Sequence, residues 1–184
     1  MPINALNIIF DYRFNNPHKH CVNNGLNGDM SEMKDKHVAI EITQIGVIHS
    51  PYKKVEDVPF QAYKSEEHGD IEVFQEYAQG LKDTEGFSHL VILYYFHLSE
   101  KTILLAKPFL DDRIRGVFAT RSPNRPNHIG VSVVKLLRRY GNMLRVQGLD
   151  VVDGTPLIDI KPYVPRFTEK ENVKIGWLEG KLKR

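Results

Sequence analysis

"GVSVVKLLRRYGNMLRVQGLDVVDGTPLIDIKPYV", Gly130–Val164, decides the fold. Short runs rich in Val, Leu and Ile ("GVSVVKLLRRYG", "MLRVQGLDVV", "PLIDIKPYV") alternate with turn chemistry at Arg138 to Asn142 and at Asp153-Gly154. Upstream, "GVFAT" adds a further short run. In "GFSHLVILYYFH" and the Leu that follows it, nine consecutive residues, Leu90 to Leu98, are apolar or aromatic apart from His97. That run is short for a helix and rich in β-formers, so it predicts a central strand buried on both faces. Further back, Val38, Ile40 and Ile42 alternate with Ala39 and Glu41, and "IGVIHSPY" follows after a bulge at Gly46, which predicts a strand ending in a Pro turn. "DIEVFQEYAQGL" predicts a strand over Ile71 to Phe74 running into a helical turn, while "LSEKTILLAKPFLDDRIR" reads as a linker. Several short strands with few helical windows indicate an all-β barrel or sandwich.

The 184 residues fit one domain of about 140 to 150 residues plus an appendage. Residues 1–37 are Asn-rich, broken by Pro and Gly and without a sustained period, so they read as an extension, flexible or preceding a later start at Met30 or Met33. The regular domain runs over 38–168, and the tail, 169–184, offers a terminal strand or short helix bearing Trp177. Lys and Arg number 25 against 23 Asp and Glu, so no global basic field marks a nonspecific nucleic-acid binder, and any RNA contact must be local. The single cysteine, Cys21, forms no intrachain disulfide, and no Cys/His cluster has metal spacing, which points to a metal-free protein of the reducing cytoplasm. No apolar run nears the roughly 20 residues of a membrane span. GxGxxG, GxxxxGK[ST], HExxH and GxSxG are all absent, against Rossmann, P-loop, zincin and hydrolase readings.

Three loops carry an excess of functional residue types. In "GVFATRSPNRPNHIGVS", Gly116–Ser132, Pro123 and Pro126 limit backbone freedom, so Arg121, Asn124, Arg125 and Asn127 are presented at little entropic loss. Arg matches phosphate or carboxylate through its planar fork, and Asn matches adenine edges; the alternative is that they pair with nearby acids and cap turns. Asp153-Gly154-Thr155-Pro156 is turn chemistry between strands, and Asp150, Asp153 and Asp159 beside it would serve a sulfonium or an amino group. His97 follows Tyr94, Tyr95 and Phe96, aromatics that pack a core or stack a purine.

"GVFATRSPNRPNHIGVS" closely resembles the "FATRSPxRPNPIGxS" signature of the TsaA-like (TrmO, YaeB, VirR) family. "IGVIHSPY", "VPFQ", "LKDTEGFSHLVILYYFH" and "GLDVVDGTPLIDIKPYVP" match in order, over roughly residues 42–165. The resemblance implies a small β-barrel, closed or partly open, that binds S-adenosylmethionine (SAM) partly at a homodimer interface, and methylation of N6 of threonylcarbamoyladenosine beside the anticodon of threonine tRNA. It places cofactor contacts on Pro59, Phe60 and Gln61, on His97 and Leu98, on Arg121, on Val131, and on Asp153, Gly154, Thr155 and Pro156. Relatives commonly carry Pro where His128 stands, bacterial members Arg where Phe60 stands, and a longer region after Pro165. These departures bear on the RNA more than on the cofactor.

Methyl transfer from a sulfonium needs chiefly alignment of the attacking nitrogen and the leaving sulfur. A proton acceptor near that nitrogen would help, and Asp150, Asp159 and Tyr52 are candidates. Arg125, Asn127, Lys161 and Arg166 are candidates for RNA contact. Two other readings stay open: a non-catalytic SAM-binding sensor or scaffold, and an all-β RNA-binding protein without SAM.

Overall fold

The computed structural model describes residues 39–59, 65–168, 170 and 172–181; the extension read over 1–37 lies outside them, as do Phe60 and Gln61. The chain divides into two units, residues 1–43 and 44–184. In the second, alternation of inward and outward side chains closes six strands into an antiparallel barrel: β1 (Gly46–His49), β2 (His68–Val73), β3 (His89–Tyr95), β6 (Ile129–Tyr140), β7 (Met143–Gln147) and β8 (Thr155–Pro162). The order around the barrel is β1-β2-β7-β6-β3-β8, with β8 returning to β1. Closure leaves the six strands no unpaired edge. The excursion between β3 and β6 holds a ribbon, β4 (Leu105–Ala106) on β5 (Arg115–Gly116), where the sequence predicts a linker.

Inside, Ile48, Ile71, Leu90, Ile92, Val134, Leu144, Val146 and Leu157 are fully buried from all six strands. β3 is buried on one face, not both: Leu90, Ile92 and Tyr94 enter the core while Val91, Leu93 and Tyr95 stay half-buried on the outer wall. A closed barrel has an outside even for its most apolar strand. The alternation at Ile40 and Ile42 does not make a strand either; residues 39–43 carry none and both isoleucines are exposed. "GVFAT" gives only the end of β5 and a 3-10 turn, Val117–Ala119. The tail bears a 3-10 turn, Gly176–Leu178. Among the described residues no helix is long and apolar enough to cross a membrane.

The register decides which loops meet. Tyr95 pairs with Ile129, Tyr94 with Leu157, Ile48 with Thr155 and His68 with Gln147. One mouth of the barrel therefore collects the ends of β1, β3 and β7 and the starts of β2, β6 and β8. The loops that carry "HSPY", "ATRSPNRPN" and "DGTP" open there. The opposite end holds His89, Tyr140, Met143 and Pro162.

Candidate functional site

The loop before β6 is held from within. Arg125 donates from Nε to the Ser122 carbonyl at 3.0 Å and from Nη2 to the Val117 and Thr120 carbonyls at 3.1 and 2.6 Å. Through Nε and Nη2 its planar fork braces the loop's own backbone, a role that the sequence does not offer for it beside the RNA contact. Asn124 accepts from Ser99 Oγ at 2.7 Å, and its carbonyl accepts from the Ile103 amide at 3.1 Å, tying the loop to the segment after β3. Asn127 and His128 both adopt left-handed backbone, φ 67° and 49°. Proline cannot reach that φ, so the "PNPIG" of relatives is incompatible with the turn this chain makes at His128. His128 is 6% exposed, donates from Nε2 to the Lys101 carbonyl at 3.1 Å and leaves Nδ1 without a partner among the described residues. Asn127 is exposed beside it.

What the clamp presents is Arg121, exposed and without a hydrogen bond or ion pair among the described residues. Its charge acts on Asp150 and Tyr94. Ser132 Oγ donates to Asp150 Oδ1 at 2.6 Å, and Tyr94 Oη lies 3.0 Å from Ser132 Oγ. Because the serine proton goes to the carboxylate, the tyrosine hydroxyl is the donor to serine. Tyr94 thus points into the barrel and is not free to stack a purine. Its ring lies across Gly130, where a Cβ would sit 2.2 Å from Tyr94 Cε2, so only glycine fits opposite it. Burial pushes the Asp150 carboxyl up, against the Ser132 hydrogen bond, its own backbone N–H and the Arg121 charge; burial and the Asp150 charge push the Tyr94 phenol up.

The "DGTP" turn is latched to the "HSPYK" loop. Asp153 accepts from Lys53 Nζ at 2.7 Å and from the Ser50 amide at 3.1 Å, and the Lys53 hydrogen bond foremost holds its carboxyl low. The Asp153 and Gly154 amides donate to the Tyr52 and Ile48 carbonyls at 2.8 and 3.0 Å. Buried Thr155 turns its hydroxyl to the Val152 carbonyl at 2.6 Å. Three of these four residues thus have polar groups committed to the turn. Pro156 and Val131 flank the end of β3 from its two neighbouring strands, with His97 and Leu98 exposed just beyond. Partial shielding from water holds the His97 ring below its ordinary pKa. Pro59 is half-buried in the loop between β1 and β2.

The three candidate proton acceptors separate. Asp150 stands at the mouth. Asp159, midway along β8 opposite Leu93, pairs with Lys161 at 2.6 Å, and Tyr52 Oη shares a 3.0 Å hydrogen bond with Ser65. Lys161 and Arg166, expected on RNA, are exposed toward the end of β8 away from the mouth and on the helix α1 (Pro165–Thr168) that follows it. A cleft of about 230 Å³ lies there too, between Leu81, Phe87, Leu90 and Ile160, smaller than the usual ligand pocket of about 300 to 1,000 Å³. Ser132 closes the signature stretch but is not among the residues that the sequence singles out. Its signal is a hydroxyl at an inward position of an alternating strand, between Gly130 and Val134.

The sequence profile of the tRNA-methyltransferase O N-terminal domain matches residues 47–169. The chain belongs to the TrmO family. The fold agrees with a crystal structure of TrmO from P. aeruginosa, at a TM-score of 0.65 and 30% identity, over 79% of this chain and 64% of that one. A probable S-adenosyl-L-methionine-binding protein of Pyrococcus abyssi is 54% identical over 136 residues, 73% of this chain and 74% of its own. The tRNA (adenine(37)-N6)-methyltransferase of Escherichia coli is 41% identical over 69% of this chain, which spans 59% of that enzyme.

Proposed function

We propose that this protein is a SAM-dependent methyltransferase acting on N6 of threonylcarbamoyladenosine next to the anticodon of tRNA, threonine tRNA foremost. The observation that carries the reading is the mouth of the barrel, where Arg121, unpaired among the described residues, acts on a half-buried carboxylate from a loop that Arg125 fixes. The donor set there fits SAM. Arg121 offers a planar fork to its carboxylate, Asp150 an anionic oxygen to its cationic groups, and Leu98, Val131 and Pro156 an apolar rim to its adenosine. Bound, SAM supplies a methyl group already activated on a sulfonium. The protein aligns the acceptor nitrogen and excludes water. Among the other cofactor positions, Pro59, His97 and the Asp153 to Thr155 turn complete the rim, the turn through backbone atoms, since the Asp153 and Thr155 side chains serve the fold; Phe60 and Gln61 follow Pro59 in the sequence and lie outside the described residues.

The outer wall beside that rim is apolar. Val131 and Val133 on β6, 47% and 42% exposed, stand opposite Leu93 and Val91 on β3. A second copy of the chain covers this face and completes the cofactor site. Asn127 and the exposed Lys101, whose carbonyl holds His128, are better placed for RNA phosphates than Lys161 and Arg166. The compartment is the cytoplasm, where tRNA is modified.

The test is to incubate the protein with methyl-labelled SAM and anticodon-loop RNA, with and without the threonylcarbamoyl group, and to identify the labelled nucleoside by mass spectrometry. Label on N6 of the modified adenosine is the predicted result. No label on either RNA from a preparation that binds SAM would instead make the protein a SAM-binding sensor or scaffold.

A further inference from the structure

Of the three groups that the sequence offers as proton acceptors, two are engaged elsewhere. The Asp159 carboxylate is paired with Lys161 on the same strand, and Tyr52 is bonded to Ser65. Asp150 is half-buried at the mouth, facing Arg121 from the signature loop and Tyr94 from β3. Its Oδ1 is fixed by Ser132, and Ser132 in turn by Tyr94, whose ring is seated on Gly130. The chain of hydroxyls runs one way, from tyrosine to serine to carboxylate, so every donor in it orients Asp150 and none competes for its remaining lone pairs.

We propose that Asp150 is the group that takes the proton from the methylated nitrogen, with Ser132 and Tyr94 as positioning residues. This rests on the methyltransferase reading above. In that step the nitrogen gains the methyl carbon, sulfur leaves with the electron pair of the broken carbon–sulfur bond, and the N–H proton passes to the Asp150 carboxylate while its bonding pair stays on nitrogen. Burial suits the role, since a carboxylate deprived of water binds a proton more strongly than one in solvent. A raised pKa also has a sign for stability. It favours the fold at low pH, and the contribution is lost as pH rises through the folded value, so the ionised Asp150 weakens the barrel at neutral pH.

The experiment compares Asp150→Asn and Ser132→Ala with the parent protein in single-turnover methyl transfer to threonylcarbamoyl-bearing anticodon-loop RNA as a function of pH. SAM affinity by calorimetry, Tm, and the ¹³C titration of the Asp150 carboxyl are read alongside. Asp150→Asn is expected to slow transfer by about 10² to 10⁴-fold, to weaken SAM binding far less than it slows transfer, to lose the rise of rate with pH, and to raise Tm at neutral pH. Ser132→Ala removes a donor to the anion, so both the acidic limb of the rate profile and the carboxyl titration should move to higher pH. Retention of the parent rate and pH profile by Asp150→Asn in an active protein overturns the assignment alone. So does a lowered Tm with SAM affinity lost in proportion to rate, which would make Asp150 structural. A parent protein that transfers no methyl group to this RNA overturns the methyltransferase reading and the assignment together.

Discussion

Arg125 and Arg121 are four residues apart in one loop and do opposite things. Arg125 spends its fork on three backbone carbonyls inside the loop, while Arg121 keeps its own for what the loop presents. Replacing Arg125 with Ala should cost about 2 kcal/mol of stability and weaken SAM binding about tenfold by loosening the loop; denaturant titration and calorimetry check both. Lys should not rescue, since an ammonium cannot span three carbonyls. Gly130→Ala would drive a methyl group into the Tyr94 ring, and overpacking of this kind costs about 1 to 3 kcal/mol. The denaturant midpoint should fall with an unchanged slope. From sequence the loop's importance is legible, because its prolines and arginines exceed what a connection needs. The division of labour between the arginines is not, because it depends on which carbonyls the folded loop turns inward.

At the scale of elements, the strands after Gly130 follow from alternation and from turns at Gly141 and Asp153-Gly154, and β6, β7 and β8 lie where that pattern puts them. β4 and β5 do not, since two-residue strands carry no period to read. The tail is likewise hidden in the sequence, for its anchoring is entirely long-range. Trp177 Nε1 donates to the Ala119 carbonyl at 2.7 Å, beside Thr120 and Arg121, and Asp111 holds Lys181 at 2.8 Å as well as Arg115. Those two cations hold the Asp111 carboxyl well below the usual carboxylate range. A depressed pKa stabilises the attachment above the unfolded value near 4 and is lost as pH falls from there. Asp111→Asn should therefore release the tail at neutral pH, seen as a red shift and easier quenching of Trp177 fluorescence with the barrel's circular dichroism unchanged. The parent protein should show this release only below about pH 4.

For the whole molecule, closure of the barrel gathers at one mouth loops that the sequence spreads over more than half its length. Composition and period indicate a barrel or sandwich without deciding between them; the antiparallel register decides, by bringing β8 back to β1. The same register lays Val131 and Val133 beside Leu93 and Val91 on the outer wall. If a second copy covers that wall, Val133→Glu should turn a dimer into a monomer in sedimentation equilibrium without lowering the barrel's β content, because the added charge points outward.

Calorimetric titration of SAM into the parent protein, Arg121→Ala and Lys82→Ala tests most directly that the mouth of the barrel is the functional site. The account predicts that the parent binds, that Arg121→Ala binds about ten to a hundredfold more weakly through loss of a charged hydrogen bond, and that Lys82→Ala, altered at the opposite end, binds like the parent. Full affinity in Arg121→Ala, or a loss in Lys82→Ala instead, would contradict it.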